Sequence, residues 1–222
     1  MIKITPSGDS ILLLENFEGL SSLQVIKEIK IKNIKGLEDI ISLKDKVGVI
    51  YNPFKITSGR LRDILHTCLN RNEINFIKNQ NKTWKIPICY DNEFSLDIEN
   101  LCSISNLDKD YIINKHLELI YTVDLIGFLP GFLYLGNLDK TLFFNRKSNP
   151  RKKILKGSVG IAGNQTGIYN IESPGGWNII GRTPMELFKK NKMPPLEINQ
   201  GDKIKFFRIS KSEFNHFKND TT

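Results

Sequence analysis

Gly157-Ser158-Val159-Gly160-Ile161-Ala162-Gly163-Asn164-Gln165-Thr166-Gly167-Ile168-Tyr169 is the stretch that decides the fold class of this chain. Glycine recurs every third or fourth position, with short β-branched or aromatic runs between. Two further segments share this texture. One is Gly127-Phe128-Leu129-Pro130-Gly131-Phe132-Leu133-Tyr134-Leu135-Gly136. The other starts at Ser173-Pro174-Gly175-Gly176-Trp177 and runs on to Gly181-Arg182-Thr183-Pro184. Ten of the sixteen glycines fall between Gly127 and Gly181. Short strands punctuated by tight turns read as an all-β barrel or sandwich.

Working outward, Thr183 as cap and Pro184 at the first helical position predict a short helix over 184–189. Gly201-Asp202 turns the chain into a last strand over 203–209, and the tail from 210 is polar and expected to fray. Upstream, 84–90 reads as a strand. Asp108 is placed to cap a helix carrying Ile112, Ile113, His116, Leu117 and Ile120. The N-terminal part alternates strands (10–14 and 47–51) with helices: one over 21–31, and one capped by Ser58 that presents Leu61, Ile64, Leu65 and Leu69 on one face. A polar Asn/Lys-rich stretch, 70–82, separates the two textures. The reading is α+β, with a small α/β domain over 1–85 and a β-barrel domain over 86–222.

Composition excludes several classes. The 222 residues are 40% hydrophobic and 25% charged, with a mean hydropathy of −0.27, as in an ordinary globular protein. The most apolar stretch, 117–135, contains Glu118, Asp124 and Pro130 and does not read as a membrane span. The run Ile11 to Leu14 is too short for a signal peptide. Cys68, Cys89 and Cys102 lack metal-ligand spacing and read as core thiols, so a cytoplasmic setting with reduced thiols is expected.

The net charge of +8 comes from 25 Lys and 7 Arg, in a chain with 22 Asn and a single Ala, Ala162. That skew is what AT-rich codons produce, so the charge alone names no partner, and no nucleic-acid ligand is expected. One cluster is concentrated: Lys140, Arg146, Lys147, Arg151, Lys152, Lys153 and Lys156 occur with no acid between them. It is either a solvated loop or the anion-binding rim of a site.

Walker A, Gly-x-Gly-x-x-Gly and nucleophile-elbow patterns are absent from the sequence. Of the three histidines, His66 and His216 read as structural or inert. His116, on an apolar helix face just before the glycine-rich region, is either a satisfied core histidine or a general base. The glycine segments interleave exposed backbone amides with Gln165, Tyr169, Trp177 and Arg182, a mixture suited to a small ligand bearing amide and carboxylate groups. Arg182 could clamp the carboxylate bidentately, and Gln165 could pair with an amide edge. His116 and Arg182 are therefore the catalytic candidates. The substrate-binding candidates are Gly131, Gly163, Gln165, Thr166 and Tyr169, with Ser173, Pro174, Gly175, Gly176, Trp177 and Thr183. Arg146 and Arg151 are candidates for binding phosphate. No metal motif is found in the sequence.

These segments resemble a family variously called the 5-oxoprolinase B-type subunit (PxpB), KipI, or allophanate hydrolase subunit 1. The matching residues are His116, Tyr121 with Val123, the three glycine-rich segments on to Phe188, Asn149-Pro150-Arg151 and Gly201-Asp202. Upstream, Ile86-Pro87-Ile88-Cys89-Tyr90 matches as well. Asn145, Leu155-Lys156 and Lys189 depart from the pattern, and Lys189 removes an expected acid.

The resemblance implies a cyclophilin-like barrel after the N-terminal domain. It also implies one component of a heteromeric enzyme that opens 5-oxoproline to glutamate, acting with PxpA-like and PxpC-like subunits. ATP would be shared with or supplied by those partners. A lactam resists water, and phosphorylating its oxygen makes it electrophilic. Such a step needs cationic clamps, for which Arg182 and the basic segment are the candidates and His116 the proton carrier. The same resemblance leaves two other readings open: an inhibitor docking on a sensor histidine kinase, and part of a urea carboxylase with a biotin-carrying partner.

Overall fold

The computed structural model describes residues 2–17, 20, 22–43, 46–69 and 81–219. Most of the polar stretch expected as a linker, 70–80, lies outside the described residues. The chain divides into two compact units, Met1–Gln80 and Asn81–Thr222.

The first unit is an antiparallel sheet covered on one face by helices. Its strands are β1 (Lys3–Pro6), β2 (Ile11–Glu15), β3 (Leu37–Leu43) and β4 (Lys46–Tyr51), in the order β1-β2-β4-β3. Alternation on β2 buries Leu12 and Leu14. These meet Val47 and Val49 of β4 and the apolar stripes of α1 (Ser22–Ile31) and α2 (Ser58–Leu69), including Val25, Ile29, Leu61 and Leu65. The cap of α2 is Thr57 rather than Ser58, because the amide of Arg60 donates to Thr57 Oγ1 (3.3 Å). Strand β3 had no expectation from sequence. Its charged Glu38 and Asp39 sit at a register shift on a sheet edge, where alternation is broken.

The second unit is a seven-stranded sheet. It contains β5 (Thr83–Ile88), β6 (Tyr121–Ile126), β7 (Leu133–Gly136), β9 (Ser158–Ala162), β10 (Gln165–Ile168), β12 (Asn178–Arg182) and β13 (Lys203–Arg208), in the order β12-β9-β10-β7-β6-β13-β5. Residues 83–85, on the N-terminal side of the sequence boundary, thus open β5. Among the described residues only β13 and β5 pair in parallel. One antiparallel bridge nearly closes the barrel: Cys89 and Arg182 exchange both backbone hydrogen bonds at 2.9 Å. The interior holds Ile86, Ile88, Tyr121, Val123, Leu133, Leu135, Val159, Ile161, Ile168, Ile204 and Phe206. Two helices, α3 (Ile98–Ser105) and α4 (Lys109–Glu118), precede β6. A separate ribbon, β8 (Arg151–Ile154) with β11 (Ser173–Gly175), places Ile154 against the outer aromatic residues.

Residues 184–189 are not helical. The Met185 amide bonds Thr183 Oγ1 (3.2 Å) and the Lys189 amide bonds Pro195 O (2.7 Å), so the i to i+4 ladder does not form. Asp108 occupies the N-cap position of α4 but makes no side-chain cap bond, and Ile120 lies beyond the helix, exposed. The tail is ordered as α5 (Lys211–Asn219). Ser210 and Glu213 form a reciprocal capping box, with Glu213 N to Ser210 Oγ at 3.2 Å and Ser210 N to Glu213 Oε2 at 2.7 Å. Phe214 stacks on Phe94 at 4.3 Å.

Candidate functional site

Strand alternation builds an aromatic face on the outside of the barrel. Leu133 and Leu135 point inward, so Phe132 and Tyr134 point outward, as does Tyr169 just past β10. Trp177, at the start of β12, completes the group. Ring centroids lie 5.4 Å apart for Phe132–Trp177, 5.7 Å for Tyr134–Trp177 and 4.8 Å for Phe132–Tyr169, all edge-to-face.

Glycines make room for the indole. Gly160 and Gly167 are direct cross-strand partners. A Cβ on Gly167 would stand 2.9 Å from Trp177 Cζ3 and 2.7 Å from Leu133 O, and one on Gly160 3.1 Å from Trp177 Cβ. Gly175 does the same for the Tyr169 hydroxyl. Burial pushes the Tyr169 phenol up to about 12, against a backbone hydrogen bond from Trp177. Burial also raises Tyr134, with the charge of Arg146 opposing. Both hydroxyls therefore stay protonated near neutrality and can donate.

A strap, residues 144–151, runs beside this face. The Gly163 amide donates to Phe144 O (2.7 Å), Asn178 Nδ2 to Asn145 O (2.9 Å) and the Lys147 amide to Gly176 O (2.8 Å). Its anchor is Asp97, which is 2% exposed. Asp97 accepts two bonds from Arg151 (2.6 and 2.8 Å), one from Lys147 (2.7 Å) and one from the Ile179 amide (2.7 Å), while its own amide donates to Ile179 O (2.9 Å). Burial would raise the Asp97 carboxyl, but Arg151, Lys147 and the Ile179 amide outweigh it and hold the group below the usual range. Between these ties Arg146 projects, its guanidinium carbon 6.0 Å from the centre of the Trp177 ring.

The basic segment is therefore not a uniform rim. Arg151, a candidate for phosphate, is committed with Lys147 to Asp97. Lys153 pairs with Glu172 and Lys156 with Glu186, both at 3.0 Å. Arg146, exposed and without an acidic partner among the described residues, is the cation offered to the aromatic face.

His116 lies elsewhere, fully buried. Its Nδ1 is 2.8 Å from Tyr90 Oη and its Nε2 3.0 Å from Thr166 Oγ1, and the Thr166 hydroxyl donates to Gly160 O at 3.0 Å. Because that hydroxyl's proton is committed, Nε2 carries the imidazole proton and Nδ1 accepts from Tyr90. Phe206 stacks on the ring at 4.9 Å. Burial drives the His116 pKa down to about 3, so the imidazole is neutral. It is a packed polar residue with both nitrogens satisfied.

Arg182 occupies a third neighbourhood. Its Nε donates to Lys156 O (2.8 Å) and its guanidinium carbon lies 5.9 Å from the Phe214 ring centre. Burial lowers its pKa, with the charge of Glu93 opposing. Thr183 beside it donates its amide to Gly157 O (2.9 Å). Gly163 (φ +57) makes the open turn before half-buried Gln165. Gly131 lies under Phe188, its carbonyl accepting from Asn170 Nδ2. Pro174 is exposed, and the buried Ser173 Oγ has no hydrogen-bond partner among the described residues.

Of the sequence candidates, then, Tyr169, Gly175, Gly176, Trp177 and Arg146 come together, while His116 with Thr166 and Arg182 with Thr183 are set apart from them. Phe132 and Tyr134 were missed, although their period-two spacing was the available signal. Asp97, a single acid in a loop, gave none. Among the described residues no group of three or more His, Cys, Asp or Glu is arranged to hold a metal ion. No helix among them is long and apolar enough to cross a membrane.

Residues 2–198 match the model of the family described as carboxyltransferase domain, subdomain C and D. The chain belongs to this family. Relatives named as the B-type subunit of 5-oxoprolinase are 44% identical over 137 residues in Bacillus subtilis (strain 168) and 43% over 127 residues in Haemophilus influenzae. These alignments take in 62% and 57% of this chain, but only 57% and 60% of those proteins. Among solved structures, a conserved uncharacterized protein from Pyrococcus horikoshii is 39% identical, with a TM-score of 0.58, over 96% of this chain and 100% of that one. The urea amidolyase of K. lactis, 21% identical with a TM-score of 0.77 over 99% of this chain and 15% of that one, shares the fold.

Proposed function

We propose that the chain is the PxpB-type component of a heteromeric ATP-dependent 5-oxoprolinase, converting 5-oxo-L-proline to L-glutamate with PxpA-like and PxpC-like subunits and inactive alone. The names of its relatives support this reading. The observation that carries it is the aromatic face of Trp177, Tyr134 and Tyr169 with Arg146 over the indole. The lactam docks at the edge of this cluster, where half-buried Tyr134 and exposed Arg146 are reachable: Arg146 takes the carboxylate or the developing phosphate charge and the Tyr134 hydroxyl donates to a ring substituent, while buried Trp177 and Tyr169 hold that edge in place. Gln165 reads the amide edge from the rim. Asp97, His116 and Arg182 act by positioning strands and strap.

ATP is a co-substrate shared with or supplied by the partners. The lactam oxygen attacks the γ-phosphorus and ADP leaves. Water adds at the activated carbon, the C–N bond breaks with the nitrogen leaving as the amine, and a second water releases phosphate. An ATP-consuming step accords with a cytoplasmic complex.

The test is glutamate release from 5-oxoproline, with and without ATP, by this chain alone and by this chain assembled with candidate PxpA-like and PxpC-like subunits. The proposal expects release only from the assembly with ATP. An assembled complex that releases none refutes it and turns attention to sensor-kinase binding.

A further inference from the structure

A second candidate site lies wholly within the first unit. A cleft of about 430 Å³ is lined by Lys32, Asn33, Ile34 and Lys35 on one side, and by Lys55, Ile56, Arg60, Ile64 and Cys68 on the other. Ile56, Arg60, Ile64 and Cys68 are spaced by four, so Ile56 leads into one stripe along α2. The opposite wall is the turn between α1 and β3. Asn33 (φ 43) and Gly36 (φ 94) take left-handed conformations there. A Cβ on Gly36 would stand 2.9 Å from Ile56 Cγ2 and 3.1 Å from Lys55 Cβ, so glycine is what lets the turn approach the segment leading into α2.

The lining has a definite chemistry. Its floor is apolar, with Ile34, Ile56 and Ile64, and among the described residues its rim carries four cations and no carboxylate. Lysine is common in this chain, so a few surface lysines would mean little. Elsewhere, however, many cations sit on acids, for example Lys3 and Lys46 on Glu15, Lys109 on Glu99 and Lys211 on Glu93. Lys32, Lys35, Lys55 and Arg60 have no such partner among the described residues. Glu38, the acid next along the chain from the turn, accepts from Asn52 Nδ2 (3.1 Å) instead. Among the described residues no aromatic side chain lines the cleft, and none there offers a stacking platform for single-stranded nucleic acid. Its volume is that of a small-molecule pocket.

We propose that this cleft binds a small phosphate-bearing anion, with Arg60 gripping phosphate oxygens as a fork, Lys32, Lys35 and Lys55 neutralising charge, and the isoleucine floor receiving the apolar body. The proposal does not depend on the reaction assigned above, because it is read on the single chain.

The experiment titrates the ¹⁵N-labelled full chain with pyrophosphate and with ATP, both without divalent metal, and follows backbone amide shifts. We expect saturable shifts confined to residues 32–36 and 55–64, tighter for ATP than for pyrophosphate. The exposed-site double variant Lys55→Glu/Arg60→Glu, checked for folding by circular dichroism, should bind at least about tenfold more weakly. The proposal is overturned by absence of saturation up to about 10 mM, by shifts centred on other residues, or by undiminished affinity in the folded double variant.

Discussion

His116→Gln tests the buried, neutral histidine of the second unit. The imidazole is fully buried, and burial lowers its pKa from 6.5 to about 3. The unfolded chain therefore binds a proton at His116 near pH 6.5, whereas the folded chain binds it only near pH 3. Stability from this group is complete above pH 6.5 and is lost as pH falls toward 3. Each pKa unit is worth about 1.4 kcal/mol, so the loss is about 2 kcal/mol between pH 6.5 and 5 and about 5 kcal/mol in all. Glutamine offers one donor for Thr166 and one acceptor for Tyr90 but does not titrate. The variant can be less stable at every pH, yet it should lack the decline of about 2 kcal/mol. Trp84 and Trp177 are the only tryptophans and both lie in the second unit. Urea unfolding followed by tryptophan fluorescence at pH 7.5, 6.5, 5.5 and 5 therefore reads that unit. Equal pH dependence in native and variant chains would refute the reasoning.

Three further outcomes follow from the packing. Asp97→Asn leaves Arg151 and Lys147 unbalanced and should lower stability by about 2–4 kcal/mol at pH 7. Because the Asp97 carboxyl is held below its usual range, its contribution is full above the unfolded pKa and is lost as pH falls through the folded one. The difference between the two chains should therefore shrink in acid unfolding titrations below about pH 4. Gly167→Ala drives a methyl against Trp177, Phe132 and the Leu133 carbonyl. It should cost about 1–3 kcal/mol and shift the tryptophan emission, read in the same urea experiment. Ser210→Ala removes half of the α5 capping box and should cost about 0.5–2 kcal/mol, with faster amide exchange over the start of α5 by hydrogen–deuterium mass spectrometry.

What could be read from sequence was whatever local periodicity determines. Glycine spacing from 127 to 181 announced the barrel, and the 61/64/65/69 stripe announced α2. The strand expected over 203–209 followed from the Gly201-Asp202 turn, and β13 forms over Lys203–Arg208. Errors arose where partners distant in sequence decide the conformation. Residues 184–189 carry helix-start chemistry, yet Pro195 takes the Lys189 amide and the helix does not form. The polar tail hid a capping box, Ser210-Lys211-Ser212-Glu213, whose spacing was visible but whose packing partner, Phe94, is more than 100 residues away.

The site shows the same division. Trp177, Tyr169 and the glycines stood out in the sequence as a mixture suited to a small polar ligand, and the fold does bring them together, but as a buried cluster in which the glycines make room for the indole and the phenol. Arg151 and Arg182 looked like free cations because Asp97 and the Lys156 carbonyl, which engage them, lie 54 and 26 positions away.

The most direct test of the central claim compares ATP-dependent glutamate release by the assembled complex containing the native chain with that containing Arg146→Ala. Arg146 is exposed and holds no ion pair among the described residues, so assembly should be unaffected. The account predicts a loss of about 100-fold or more in kcat/KM for 5-oxoproline. Full turnover by an intact Arg146→Ala complex would contradict the placement of the substrate at the Arg146 edge of the aromatic cluster.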